Sequence, residues 1–234
     1  HAAAAYLKSV YPVELKNQRL VVIPTCADLD RFTPSVIKRD GPNVHGCIGT
    51  VLSGWFRTDL LASWINVVAV RDPTARFEIV TRDDDFLVRK ALDPMNNLAK
   101  RLNIGSQPSK DMPDALRAHD LSVMFFSSGL SKLGSAPTRL AEVLGCGLPV
   151  VANKGVGDVA EIISENDVGV IIEGESEEDI HKAFDTLHKL MQDTDLSIRC
   201  RATAKTIFSL ESGTEAYGNI YTEILKSNDS SCAV

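Results

Sequence analysis

The stretch from Gly134 to Val151 holds the residues whose types and spacing suit chemistry best. It reads as a loop, Gly134-Ser135-Ala136-Pro137, a helix opening at Thr138, a glycine stop at Gly145 and Gly147, and a buried strand from Pro149. Free N–H groups near Ser135, Ala136 and Thr138 suit an anion, because a helix N-terminus presents outward-pointing donors and partial positive charge. Arg139 stands one residue into the helix and offers a planar fork of donors that matches a phosphate. Glu142 follows Arg139 by three residues and Thr138 by four, so the three share one helical face. A carboxylate there accepts two hydrogen bonds from a ribose diol. The same spacing also fits a plain surface ion pair between Arg139 and Glu142, and spacing leaves both readings open.

The elements that must position these residues alternate along the chain. Short apolar runs read as strands: Arg19–Ile23, His45–Val51, Arg76–Val80, Asn103–Gly105, Leu121–Phe126, Pro149–Ala152 and Val168–Ile172. Helical patterns lie at Asp59–Val70, Leu87–Leu102 with a break at Pro94, Pro113–Ala118, Thr138–Leu144, Val159–Ser164, Ser176–Met191, Leu196–Phe208 and Thr214–Leu225. Near-continuous apolar strands separated by helices predict an α/β fold, a Rossmann-like parallel sheet with helices on both faces. Ser176-x-x-Asp179 predicts a capping box. Residues 1–40 read as a helix and strand segment, 41–226 as the Rossmann-like domain with its C-terminal helices, and 227–234 as a polar tail.

Ligands of open parallel sheets bind beyond the carboxyl ends of the strands. Those ends carry Gly49-Thr50, Thr81-Arg82, Gly105-Ser106-Gln107, Phe126-Ser127-Ser128 and Asn153-Lys154-Gly155. Small, polar and cationic residues gather there, as a phosphate-bearing ligand requires.

Composition narrows the class. The 234 residues are 44% hydrophobic and 24% charged, an ordinary globular balance. A net charge of −6 argues against nucleic acid as a partner, since such proteins present a basic stripe. No apolar run approaches the ~18 residues of a membrane span. The five cysteines show no C-x-x-C spacing, which argues against a disulfide framework or a zinc site and favours a cytoplasmic setting. His45, His119, His181 and His188 have no metal-ligand spacing, and His181 and His188 read as a solvated helix face. Asp83-Asp84-Asp85 precede a helix and read as caps rather than a metal site. Cys146 reads as a packing residue; Trp55, next to Gly54, reads as packing ahead of shielding a ligand. No metal and no cofactor is expected. The chain opens at His1 with an Ala run and reads as a fragment or a trimmed piece.

Three segments resemble the GT-B glycosyltransferases of the family-four type. They are Val21–Phe32, with Ile23-Pro24 and the Asp28-to-Phe32 spacing; Gly134-Ser135-Ala136-Pro137-Thr138-Arg139 with Glu142, followed by Gly147–Val151; and Asn153–Asp158 with the strand at Val168–Ile172. The resemblance implies the C-terminal, nucleotide-sugar-binding half of a two-domain fold, with a nucleoside diphosphate sugar as substrate. It implies that Glu142 binds the ribose, that Ser135, Ala136, Thr138 and Arg139 contact diphosphate and sugar, that Gly49 and Thr50 form the first loop, and that Met112 lies near the base. Gly134 stands where the family often carries a glutamate, and Arg57 is the one cation in the first loop.

The expected donor-binding set is therefore Gly49, Thr50, Arg82, Met112, Gly134, Ser135, Ala136, Thr138, Arg139 and Glu142, with no residue assigned to the catalytic step. The resemblance further implies a retaining sugar transfer to a hydroxyl acceptor, in glycan or polysaccharide synthesis, completed by an N-terminal acceptor domain. An apolar face near the Ala run, Tyr217 and Tyr221 is expected to support docking or self-association. The alternative reading is a non-catalytic nucleotide-binding or interaction module with a flavodoxin-like sheet.

Overall fold

A computed structural model describes residues 1–36, 40–98 and 100–231. Among them, six parallel strands form one sheet: β1 (Val44–Ile48), β2 (Arg76–Val80), β3 (Leu102–Gly105), β4 (Leu121–Met124), β5 (Val150–Asn153) and β6 (Gly169–Ile172). Their spatial order is β3-β2-β1-β4-β5-β6. The order reverses between β1 and β4, which leaves a crevice at their carboxyl ends. This is the doubly wound order with two halves, not the flavodoxin order of the alternative reading.

Side chains alternate across each strand, so the sheet builds a core on either face. On one face, Cys47, Phe77, Ile79, Val123 and Phe125 meet α2 (Thr58–Arg71), α3 (Asp85–Leu92) and α7 (Glu177–Leu190). On the other, Met124, Val150 and Ala152 meet α4 (Met112–Arg117), α5 (Thr138–Gly145), α6 (Val159–Glu165) and α8 (Leu196–Phe208). Trp64 of α2 is fully buried, and its indole N–H donates to His45 Nδ1 at 3.2 Å. The capping box at α7 is present, with Ser176 and Asp179 each bonding the other's backbone N–H.

Several boundaries differ from the sequence reading. Arg19–Ile23 is not a strand: Val21 and Val22 are exposed and the run has no ladder partner, so β-branched side chains alone do not make one. β1 stops at Ile48 because Gly49 takes φ +128°, which turns the chain off the ladder. The helix expected over Leu87–Leu102 ends at Leu92, and turns fill the gap to β3. The tail expected from 227 continues α9 (Leu210–Ser231), while 232–234 lie outside the described residues. The Ala run forms α1 (Ala2–Val10).

Candidate functional site

A cleft of ≈ 310 Å³ opens beyond the carboxyl ends of β1, β2 and β3. Ile48 and Val80 end their strands in its lining, and Gly49, Thr50, Thr81 and Arg82 follow them there. Ser106, Gln107, Ser109 and Met112 close one side, and Arg139 and Glu142 of α5 the other. Of the expected set, the fold thus gathers Gly49, Thr50, Arg82, Met112, Arg139 and Glu142 around one space.

Arg31 also lines this cleft, and the sequence assigned it no role. Its segment is held from two sides. The Asp28 carboxylate accepts from the N–H groups of Asp30 and Arg31, both at 3.2 Å. Arg201 of α8 donates to the carbonyls of Leu29 at 2.6 Å, Phe32 at 2.5 Å and Gly145 at 2.9 Å. The guanidinium of Arg31 then reaches the carbonyl of Ser109 at 3.3 Å. The only local signal was a cation beside Phe32 in a segment singled out for another reason.

Three guanidiniums, of Arg31, Arg82 and Arg139, line the cleft together with one carboxylate, that of Glu142. Arg139 and Glu142 form an ion pair across one turn of α5. The surface-pair geometry is therefore present, but not on an open surface: the Glu142 side chain is 17% exposed. Burial raises its pKa above its ordinary value, and the charges of Arg139 and Arg31 oppose that rise. Such a lining attracts an anion of more than one charge while keeping one hydrogen-bond acceptor in place.

Gly134, Ser135, Ala136 and Thr138 lie outside this lining. The Ser135 N–H, expected to be free for an anion, donates to Lys132 at 3.0 Å. The Ser135 carbonyl lies so close to Gly157 that a Cβ there would sit 2.0 Å from it. Gly134 faces Ala3 of α1, and Thr138 Oγ1 meets Thr25 Oγ1 at 3.0 Å. Arg57 is also committed elsewhere, to Asp59 and Glu175 at 2.6 Å each, and those bonds lower both carboxyl pKa values.

Of the three aspartates read as caps, Asp84 is one, accepting from Leu87 N–H at the start of α3. Asp83 instead accepts from Val51 and Leu52 N–H at 2.6 and 3.0 Å, which fixes the loop after β1, and Asp85 lies within α3 and pairs with Arg89. Among the described residues, no group of three or more His, Cys, Asp or Glu side chains is placed to hold a metal ion.

A family model described as glycosyl transferases group 1 matches residues 76–207, more than half of the sequence. The chain belongs to the group 1 glycosyl transferases. Solved structures agree on the fold. A glycosyltransferase from Rickettsia africae superposes with a TM-score of 0.74 at 17% identity, covering 96% of this chain and 62% of that one. Anabaena Alr3699/HepE, solved with UDP and glucose, gives 0.67 at 18% identity, covering 94% of this chain and 60% of that one. The C-terminal domain of LpcC, a group 1 family protein from Francisella tularensis, gives 0.59 at 20% identity, covering 79% of this chain and 99% of that domain. This group 1 glycosyl transferase chain thus spans about three fifths of the larger structures it resembles. No curated protein matches its sequence.

Elsewhere in this glycosyl transferase domain, Cys47, Cys146 and Cys200 are buried, and burial pushes each thiol up to about 12, so they pack rather than react. His188 stacks on Phe184, and His181 lies beside Arg71 and Glu177. Trp55, expected to pack, is instead 59% exposed, with the Lys132 ammonium 3.3 Å from its ring centroid. No helix among the described residues is long and apolar enough to cross a membrane.

Proposed function

We propose that the cleft binds a nucleoside diphosphate sugar, and that the whole protein transfers the sugar to a hydroxyl acceptor. The observation that carries this reading is the convergence of Arg31, Arg82 and Arg139 with Glu142 at the strand ends. The guanidiniums hold the diphosphate, and Glu142 accepts from the ribose diol. Met112 lines the side where the base rests. The nucleotide and sugar in the Anabaena structure support this ligand class. Gly134, Ser135, Ala136 and Thr138, outside the lining, are assigned to the sugar end of the donor.

As the glycosidic bond breaks, negative charge grows on the leaving diphosphate. Guanidiniums already fixed there stabilise that charge without reorganising. Transfer also needs the acceptor in near-attack geometry and water kept out. We assign the acceptor-holding wall to a further domain, the reaction to retention of configuration, and the setting to cytoplasmic glycan synthesis. The apolar side chains Tyr6, Leu7, Tyr217 and Tyr221 are exposed, as a docking face requires.

A thermal-shift screen of UDP, GDP, ADP and their sugars tests the reading. A ligand at 100 times its Kd adds about 2.7 kcal/mol of stability. A melting temperature unmoved by every one of them would reject nucleotide binding.

A further inference from the structure

Trp55 and Lys132 join two loops that the fold places on opposite sides of the β1/β4 crevice. Trp55 lies in the loop after β1, and Lys132 in the loop after β4. The backbones of both are tied down. The Trp55 carbonyl accepts from Ser127 N–H at 2.9 Å, and the Gly54 carbonyl from Ser127 Oγ at 3.0 Å. Next to it, Phe56 and Phe126 bridge and pack their rings edge to face. The Lys132 carbonyl accepts from Ser135 and Gly157 N–H at 3.0 and 2.8 Å.

The side chains, in contrast, have no buried work. An indole 59% exposed is costly to leave in water, since most of its apolar area gains nothing there. The Lys132 ammonium rests 3.3 Å from the ring centroid, and among the described residues no carboxylate pairs with it. Lys154 and Lys182, by comparison, face Glu173 and Glu178. An aromatic face orders a cation without neutralising it, so Lys132 keeps a full charge to offer. The indole offers a negative face that suits the polarised C–H groups of a sugar ring.

We infer that Trp55 and Lys132 form a binding platform for an anionic saccharide, one whose sugar bears a carboxylate or a phosphate. Lys132 covers one face of the indole; the sugar ring stacks on the exposed remainder of Trp55 and its anion reaches the ammonium past the ring edge. The assignment of this saccharide to the accepting side rests on the donor-cleft reading; its binding does not, so nucleotide and saccharide are titrated separately. A membrane surface would also use exposed Trp, Leu and Lys, and the test below separates the two.

The test uses the two tryptophans. Trp64 is fully buried, so a ligand-induced change in fluorescence reports Trp55. The chain is titrated with an oligogalacturonate, a sugar-phosphate-bearing oligosaccharide and a neutral oligosaccharide of equal length. A saturable change with at least one anionic probe, at least tenfold tighter than with the neutral one, is expected. Lys132→Gln should lose that preference about tenfold, and Trp55→Ala should abolish binding by calorimetry. Both variants should keep the wild-type circular dichroism and the wild-type nucleotide affinity. Equal binding of neutral and anionic probes, no saturation by either anionic probe, or unchanged affinity in Lys132→Gln overturns the proposal. Sedimentation with phosphatidylglycerol vesicles in the absence of saccharide binding overturns it in favour of a membrane contact. Failure of nucleotide binding with saccharide binding intact would reject the donor reading alone.

Discussion

Arg139 and Glu142 stand one turn apart on α5, paired with each other and both lining the cleft. The pair does not exclude the ribose role, because Arg139 occupies one side of a carboxylate that can accept several hydrogen bonds. Glu142→Ala should weaken nucleotide binding by roughly 1.5–3 kcal/mol, the range for a hydrogen bond to a charged group. Calorimetry checks this; unchanged affinity would leave the pair as structure alone.

Glu142 also sets a pH dependence for binding. Its pKa lies above the ordinary 4.5, with burial as the first cause. The charged form is the better acceptor, so affinity should fall with pH before an ordinary exposed glutamate would begin to protonate. Titrations at descending pH should show the loss in the wild type, and Glu142→Gln should flatten it.

His45 gives a stability dependence of opposite origin. Burial lowers its pKa to about 4 against 6.5 for the free side chain, with Asp72 opposing. Between these values the unfolded chain binds a proton that the folded chain refuses. Stability therefore falls as pH falls from 6.5 toward 4, and the loss from pH 7 to pH 5 is about 2 kcal/mol. Urea unfolding of the wild type and His45→Gln isolates it; equal pH slopes would contradict the assignment.

Arg201 lies outside the cleft lining, yet its bonds to Leu29 and Phe32 flank Arg31. Arg201→Ala leaves three carbonyls without their cationic donor, at a cost of roughly 1.5–3 kcal/mol for the first alone. Nucleotide affinity should fall with it, and Arg201→Lys should restore only part. Loss of stability with full affinity would mean that Arg31 holds its place unaided.

Gly46 lies under the fully buried ring of His119, and a Cβ there would sit 1.9 Å from Nδ1. Gly46→Ala should destabilise by about 1–3 kcal/mol or more, as overpacking does. The double variant with His119→Ala should recover part of that, which a denaturant midpoint measures.

The strands and helices were legible where pattern and environment agree. Cys47, Ile79 and Val151 are buried among apolar neighbours, and α8 falls on its expected bounds. Arg19–Ile23 misled because a strand needs a partner, which local sequence does not display. Within the site, Arg139 and Glu142 were readable because one helix turn joins them. Arg31 was not, because Arg201, 170 residues later, fixes its segment through backbone carbonyls. Trp55 misled for the converse reason: a tryptophan usually finds a core, and this one is held outside by its backbone bonds to Ser127.

The most direct measurement is calorimetric titration of the chain with UDP, GDP, ADP and their sugars, in the wild type, Arg31→Ala, Arg82→Ala and Arg139→Ala. The expected result is one-to-one binding of at least one nucleotide, weakened tenfold or more by each substitution while the fold is kept. Absence of binding by all of them, or binding that none of the three substitutions changes, would contradict a diphosphate site at this cleft.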